Sequence, residues 1–135
     1  MAKEKKSSNK LCGIGLFILA VILFAVPFLM TDMVINRGYL AGKDFKKAFN
    51  ARITGNCDRF MEHVAVDKDA WREKCDNEKT LHTDPFYDFN IRKITVNGDR
   101  AFIQCEMTRV GQKYPVTYEM ILKGGRWMIN QESAR

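Results

Sequence analysis

The apolar and polar positions of this chain fall into three rhythms, and each predicts a different element. The first is no alternation at all: residues 11–31 carry no charged side chain, and Asp32 ends the run. A hydrocarbon core about 30 Å thick takes roughly 20 apolar residues of helix. Leu11 to Met30 therefore predicts a transmembrane helix, with Pro27 placed to kink its last turn. A buried core helix would show polar residues along one face, and this run has none. A cleavable signal has a shorter apolar region, about 7–15 residues, ending in a small-x-small site. Here the end reads FAVPFLMTD, with no such site. Cys12 stands at the start of the run, which rules out a lipoprotein acceptor following it.

The second rhythm has a helical period. After a linker (residues 32–39), Phe45, Ala48, Phe49 and Ile53 fall on one helix face. Thr54-Gly55-Asn56 interrupts the pattern. It resumes through Cys57, Phe60, Met61 and Val64. DKDAWREKCDNEK predicts a further short helix, capped by Asp67 or Asp69, with Trp71 and Cys75 on one face.

The third rhythm has period two. Tyr87, Phe89 and Ile91 alternate, then the parity slips to Ile94 and Val96, which predicts a β-bulge near Arg92-Lys93. Asn97-Gly98 is a strong hairpin signal. Ala101, Ile103, Cys105 and Met107 share the next strand face, Gly111-Gln112 turns the chain, and Tyr114, Val116, Tyr118, Met120 and Leu122 share the third. Gly124-Gly125 leads to a closing strand with Trp127 and Ile129. The fold class is therefore α+β: a transmembrane helix, then helices packed on a four-stranded antiparallel meander. The helices must cover the apolar face of the sheet to keep it out of water. Cys105, on that face, reads as a small buried residue.

Charge orients the chain. The tail, residues 1–10, has a net charge of +3, and all its lysines lie close to the apolar run. The far flank mixes Arg37, Lys43, Lys46 and Lys47 with Asp32 and Asp44. Basic residues beside a span favour the cytoplasmic side. This predicts a single-pass inner-membrane protein with a cytoplasmic amino terminus and a domain, residues 40–135, in the periplasm or outside the cell. Residues 31–135 also carry a net +3, too little to argue for nucleic acid. In an oxidising compartment Cys57 and Cys75, each in a charged helical segment, form a natural disulfide worth roughly 3 kcal/mol. Two free thiols in a reducing cytoplasm are the alternative. Zinc is disfavoured: there is no C-x-x-C, and the histidines are only His63 and His82.

The order of helix, broken helix, short helix and meander, carried by AFNARITGNCDRFMEHV (Ala48 to Val64) and by Ile94 to Ile129, resembles the nuclear-transport-factor-2-like superfamily, the cystatin-like cone fold. Gly98-Asp99-Arg100-Ala101 and Gly125-Arg126-Trp127-Met128-Ile129 are similar to that family's V-x-G-[DN]-x-A-x-V and G-x-W-x-I patterns. The likeness covers roughly residues 40–132. Within the superfamily the chain resembles membrane-tethered or lipid-anchored bacterial domains of unknown function, some of which show a cysteine pair linking two helical segments. More distantly it is similar to the bitopic assembly subunit of type IV secretion systems, although it is shorter and carries no diagnostic segment of that subunit.

Enzymes of this fold, among them ketosteroid isomerases and SnoaL-like cyclases, work inside the cone with a buried Asp or His as base. Here His63 reads as a surface or half-buried helix residue, His82 as exposed in a polar loop, and Asp88 and Asn90 as the polar face of the first strand. Tyr114 and Tyr118 read as core. No G-x-S-x-G, H-E-x-x-H or phosphate-binding glycine loop is present. The expectation is a non-enzymatic, cofactor-free binding or assembly module. It would be held in the bilayer through Leu11 to Met30, offer a cone to an envelope protein or an apolar ligand, and possess the means to self-associate. Tyr87, Phe89, Tyr114, Tyr118 and Trp127 are its candidate pocket or partner surface. A secretion-machinery subunit and a small cyclase or isomerase are the alternatives.

Overall fold

A computed structural model describes the backbone of residues 8–134 and the side chains of residues 14–27 and 36–133. The chain divides into two units, Met1–Ile35 and Asn36–Arg135. Helix α1, Ser8–Ile53, contains Pro27 and also residues 32–39, where the polar pattern suggests a linker. In the first unit the described side chains, residues 14–27, are all exposed, Phe17 to 73% and Phe24 to 81%. Among the described residues no helix is long and apolar enough to cross a membrane. The expected span over Leu11–Met30 includes side chains outside that described set, as does the basic tail.

In the second unit the helical rhythm produces the expected inner stripe: Ala41, Phe45, Ala48 and Phe49 of α1 are buried. The helix stops where Gly55 takes φ +76°, a left-handed conformation open to glycine. A Cβ at Gly55 would also come within 2.8 Å of His82 Nδ1. Asn56 then caps α2, Cys57–Met61, by accepting the Arg59 N–H at 3.1 Å. The helical period of the sequence overruns this element. Val64 is not helical but forms a parallel bridge to Ile129, where the Ile129 N–H donates to the His63 carbonyl at 2.7 Å. Helix α3, Lys68–Asn77, buries Trp71 and Cys75 as expected. Asp67 occupies its N-cap position but makes no side-chain capping bond, so the expected cap is positional only. Cys57 and Cys75 are joined as a disulfide, with Cα atoms 5.9 Å apart.

The sheet has strands β1 (Asp88–Asn97), β2 (Arg100–Arg109), β3 (Gln112–Lys123) and β4 (Arg126–Ala134) in meander order, antiparallel throughout, curved and not closed. The register of β1 on β2 slips between Ile91 and Lys93, the bulge that the parity change foretold. A second irregularity lies between Glu119 and Met120. Gly98 makes the first hairpin at φ +59°. The second turn sits one residue earlier than the sequence suggests: Val110 itself adopts φ +49°, and its N–H donates to Asp84 Oδ2 at 2.7 Å. The inner face carries Ala101, Ile103, Cys105, Met107, Val116, Tyr118, Met120, Trp127 and Ile129, all buried against the helices. Phe45, Phe49 and Tyr118 meet at ring separations of 4.3 to 5.3 Å. Each fully buried apolar side chain contributes about 1.5–3 kcal/mol, so this aromatic centre fixes how the helices sit on the sheet.

Candidate functional site

The apolar stripes of the helices converge on a charged group. Arg52 is wholly buried, one helical step beyond Phe49. Glu78 follows α3, one step beyond Cys75, and is also buried. The two form a forked pair: Arg52 Nε donates to Glu78 Oε2 at 2.9 Å and Arg52 Nη2 to Oε1 at 2.6 Å. Tyr87, just before β1, donates its hydroxyl to Oε2 at 2.9 Å, and Arg109, at the end of β2, donates from Nη2 to Oε1 at 2.8 Å. Four elements of the domain are thus tied to one carboxylate.

Electrostatics fix its protonation state. Burial alone would raise the Glu78 pKa, but the Arg52 hydrogen bonds and the charges of Arg52 and Arg109, with Tyr87, hold it below the ordinary value. Burial would likewise lower Arg52, and Glu78 reverses that. The Arg52 guanidinium lies 5.3 to 5.6 Å from the ring centres of Phe49, Phe60 and Trp71, a cation–π setting that a bare ammonium would fill less well. Each Glu78 oxygen accepts two hydrogen bonds, which uses its lone pairs. An ionised and saturated carboxylate is a staple for structure, and a poor acceptor for a substrate proton.

Around the staple, some polar atoms find no protein partner: Arg52 Nη1, Arg109 Nε, His82 Nε2 and the hydroxyls of Tyr114 and Tyr118. Burial raises both tyrosine pKa values, that of Tyr118 most. Burial also takes the Cys105 thiol up to about 12, so this free cysteine behaves as the core residue expected of it. At the far end, Glu132 stands opposite Tyr118 in register and is held by Lys74 at 2.6 Å.

Of the candidates read from the sequence, Tyr87 and Tyr114 flank Arg109 at the staple and Phe89 and Tyr118 meet Phe45 and Phe49, whereas Trp127 stands apart at the start of β4, its backbone N–H on Asp44. Tyr87, Tyr118 and Trp127 are buried, and Phe89 and Tyr114 half-buried. They line the interior rather than forming an exterior face. His63 is half-buried, with burial lowering its pKa. His82 is not exposed: its ring lies over Tyr87, 6.4 Å between centres, in the space that Gly55 leaves. Asp88 and Asn90 are exposed, on the polar face of β1. Arg52, Glu78 and Arg109 were invisible to motif reading, although Arg52 and Glu78 extend the two apolar stripes as charges of opposite sign.

No family model matches the chain, and no curated protein matches it. Solved structures do match. A de novo designed protein with a curved β-sheet aligns with a TM-score of 0.57 at 15% identity, covering 70% of this chain and 98% of its own. An NTF2-like protein of unknown function from Shewanella baltica aligns at 0.56 and 11% identity, covering 75% and 97%. Another, from Silicibacter pomeroyi, aligns at 0.54 and 19%, covering 72% and 94%. The fold is NTF2-like. At these identities the likeness concerns the fold alone, and the use of an NTF2-like cone must be argued from its residues. In this cone, aromatic rings and an ion pair occupy the space beneath the sheet.

Proposed function

We propose that this chain is a membrane-anchored, non-enzymatic binding or assembly module that carries its NTF2-like domain on the outer side of the cytoplasmic membrane. The observation that carries the reading is the saturated Glu78 carboxylate, committed to two arginines and a tyrosine. The other buried acid among the described residues, Glu119, is likewise taken up, by Arg100, Asn130 and Gln131. The anchor is supported by the uncharged run and by the exposure of the apolar side chains at residues 14–27, a stretch within the roughly 20 residues that a span takes. An oxidising location is supported by the Cys57–Cys75 bond. Partners of the envelope machinery, including those of a secretion system, fit the same placement.

The test is fractionation of cells making the full chain. It should stay in the membrane pellet through an alkaline wash, and protease added outside spheroplasts should remove residues 40–135. Recovery in the soluble fraction, or a protected domain, overturns the anchor. A second reading, a small cyclase or isomerase, is favoured by one observation. The buried Tyr114 and Tyr118 hydroxyls and Arg52 Nη1 lack partners and are donors of the kind that hold an oxyanion. Uptake of a nitrophenolate probe by the native chain, lost in Tyr118→Phe, would favour that reading over the first.

A further inference from the structure

Outside the cone, α1 and β1 enclose a groove of about 520 Å³. Tyr39, Gly42, Lys43, Lys46, Lys47 and Asn50 form one continuous stripe of the helix along it, and Ile91 and Ile94 of β1 face them. Gly42 sets the depth of the floor, because a Cβ there would stand 2.7 Å from Ile94 Cδ1.

The three lysines are exposed, and among the described residues none has a carboxylate within ion-pair distance. The acid of the same helical segment, Asp44, is turned to the sheet, where it accepts the Trp127 N–H at 3.1 Å. Among the described residues some other basic side chains of the domain pair with an acid, as Arg72 and Lys113 do, and others, such as Arg59, Lys68 and Lys93, do not. The groove is set apart by three unpaired lysines within five residues beside one apolar floor. Positive charge is therefore left uncompensated along a groove whose floor is isoleucine and whose end is an exposed tyrosine ring.

We infer that the groove binds a single-chain anionic amphiphile, with its carboxylate or phosphate head among Lys43, Lys46 and Lys47 and its alkyl chain along Ile91, Ile94 and the Tyr39 ring. The volume is that of a small-molecule site. Unpaired cations at its rim supply the affinity for a head group that an apolar floor alone would not. The inference names a ligand for the binding module proposed above and rests on that reading.

The experiment uses the full chain in zwitterionic nanodiscs and decanoate bearing a terminal diazirine. After photolysis, adducts are mapped by peptide mass spectrometry. Labelling should fall on the peptides holding Tyr39–Asn50 and Ile91–Ile94. It should drop about tenfold in the Lys43→Gln/Lys46→Gln/Lys47→Gln variant, which removes three cations of modest individual weight. Unlabelled decanoate and a monoacyl phosphate should compete, and decanol should not. Labelling spread evenly over the chain, unchanged in the triple variant, or competed equally by decanol overturns the inference. Such a result with the chain still in the membrane fraction overturns the ligand and leaves the anchored module standing. The triple variant should keep the circular dichroism of the native chain, so lost labelling reports the groove and not unfolding.

Discussion

Two cationic regions of the domain are built in opposite ways. In the interior, Arg52 and Arg109 converge on Glu78 and the acid is saturated. In the groove outside, Lys43, Lys46 and Lys47 line apolar residues with no ion-pair partner among the described residues. The first arrangement uses guanidinium groups, whose planar fork suits a carboxylate and whose weak hydration suits burial. The second uses ammonium groups that remain hydrated until something anionic arrives. The difference separates charge that holds a fold together from charge that is free to act on a partner.

The comparison breaks most visibly at Glu78. Glu78→Leu strands Arg52 in an apolar interior and should destabilise the domain by about 3–5 kcal/mol, measured by urea unfolding. Arg52→Met/Glu78→Leu, which removes both charges, should recover most of that loss, since an apolar replacement for a buried pair is commonly close to neutral. A double variant as unstable as the single one would mean that the pair is not the unit. The intact pair also makes the fold sensitive to acid. Because the folded pKa of Glu78 lies below its ordinary value of 4.5, its contribution is complete above that pH. It is lost as pH falls through the lower folded value, and unfolding midpoints measured from neutral to strongly acid pH should show that loss.

The disulfide comes next. Cys57→Ser/Cys75→Ser should cost roughly 3 kcal/mol by loop closure, and the native chain should refuse alkylation at both residues until reduced. Tyr87→Phe removes one hydrogen bond to a charged acceptor and should cost about 1.5–3 kcal/mol with the fold retained. The smallest effect belongs to the groove. The triple lysine-to-glutamine variant should lie within about 0.5 kcal/mol of the native chain, as solvated surface charges do. A large loss there would place those lysines with the structural charges and erase the contrast.

Much of this architecture is legible in the residues themselves. The alternation of β2 and β3, the parity slip at Arg92 and the turn at Gly98 follow from period and glycine alone, and the structure repeats them. The stripes Phe45–Ala48–Phe49 and Trp71–Cys75 identify the buried helix faces. What was not legible is long-range. Arg52 and Glu78 each continue a stripe as a charged residue, a signal that gains meaning only when two stripes of opposite charge face one another. His82 is half-buried in the space that a glycine far away in sequence leaves, and Val64 leaves its helical period because Ile129 offers a bridge. The groove lysines look from sequence like flanking charges that set topology, since nothing local shows that Ile91 and Ile94 lie opposite them. Similar solved structures supply the fold and, in these features, no more than the fold.

The central claim is that the interior acid is a fixed staple, leaving binding to the outside of the cone. It is tested most directly by following the Glu78 side-chain carboxyl by carbon NMR across a pH titration of the full chain. The account predicts a carboxylate that stays ionised from neutral pH down to below 4.5. A Glu78 that takes up its proton above that value would contradict it and make the interior a place for acid–base chemistry.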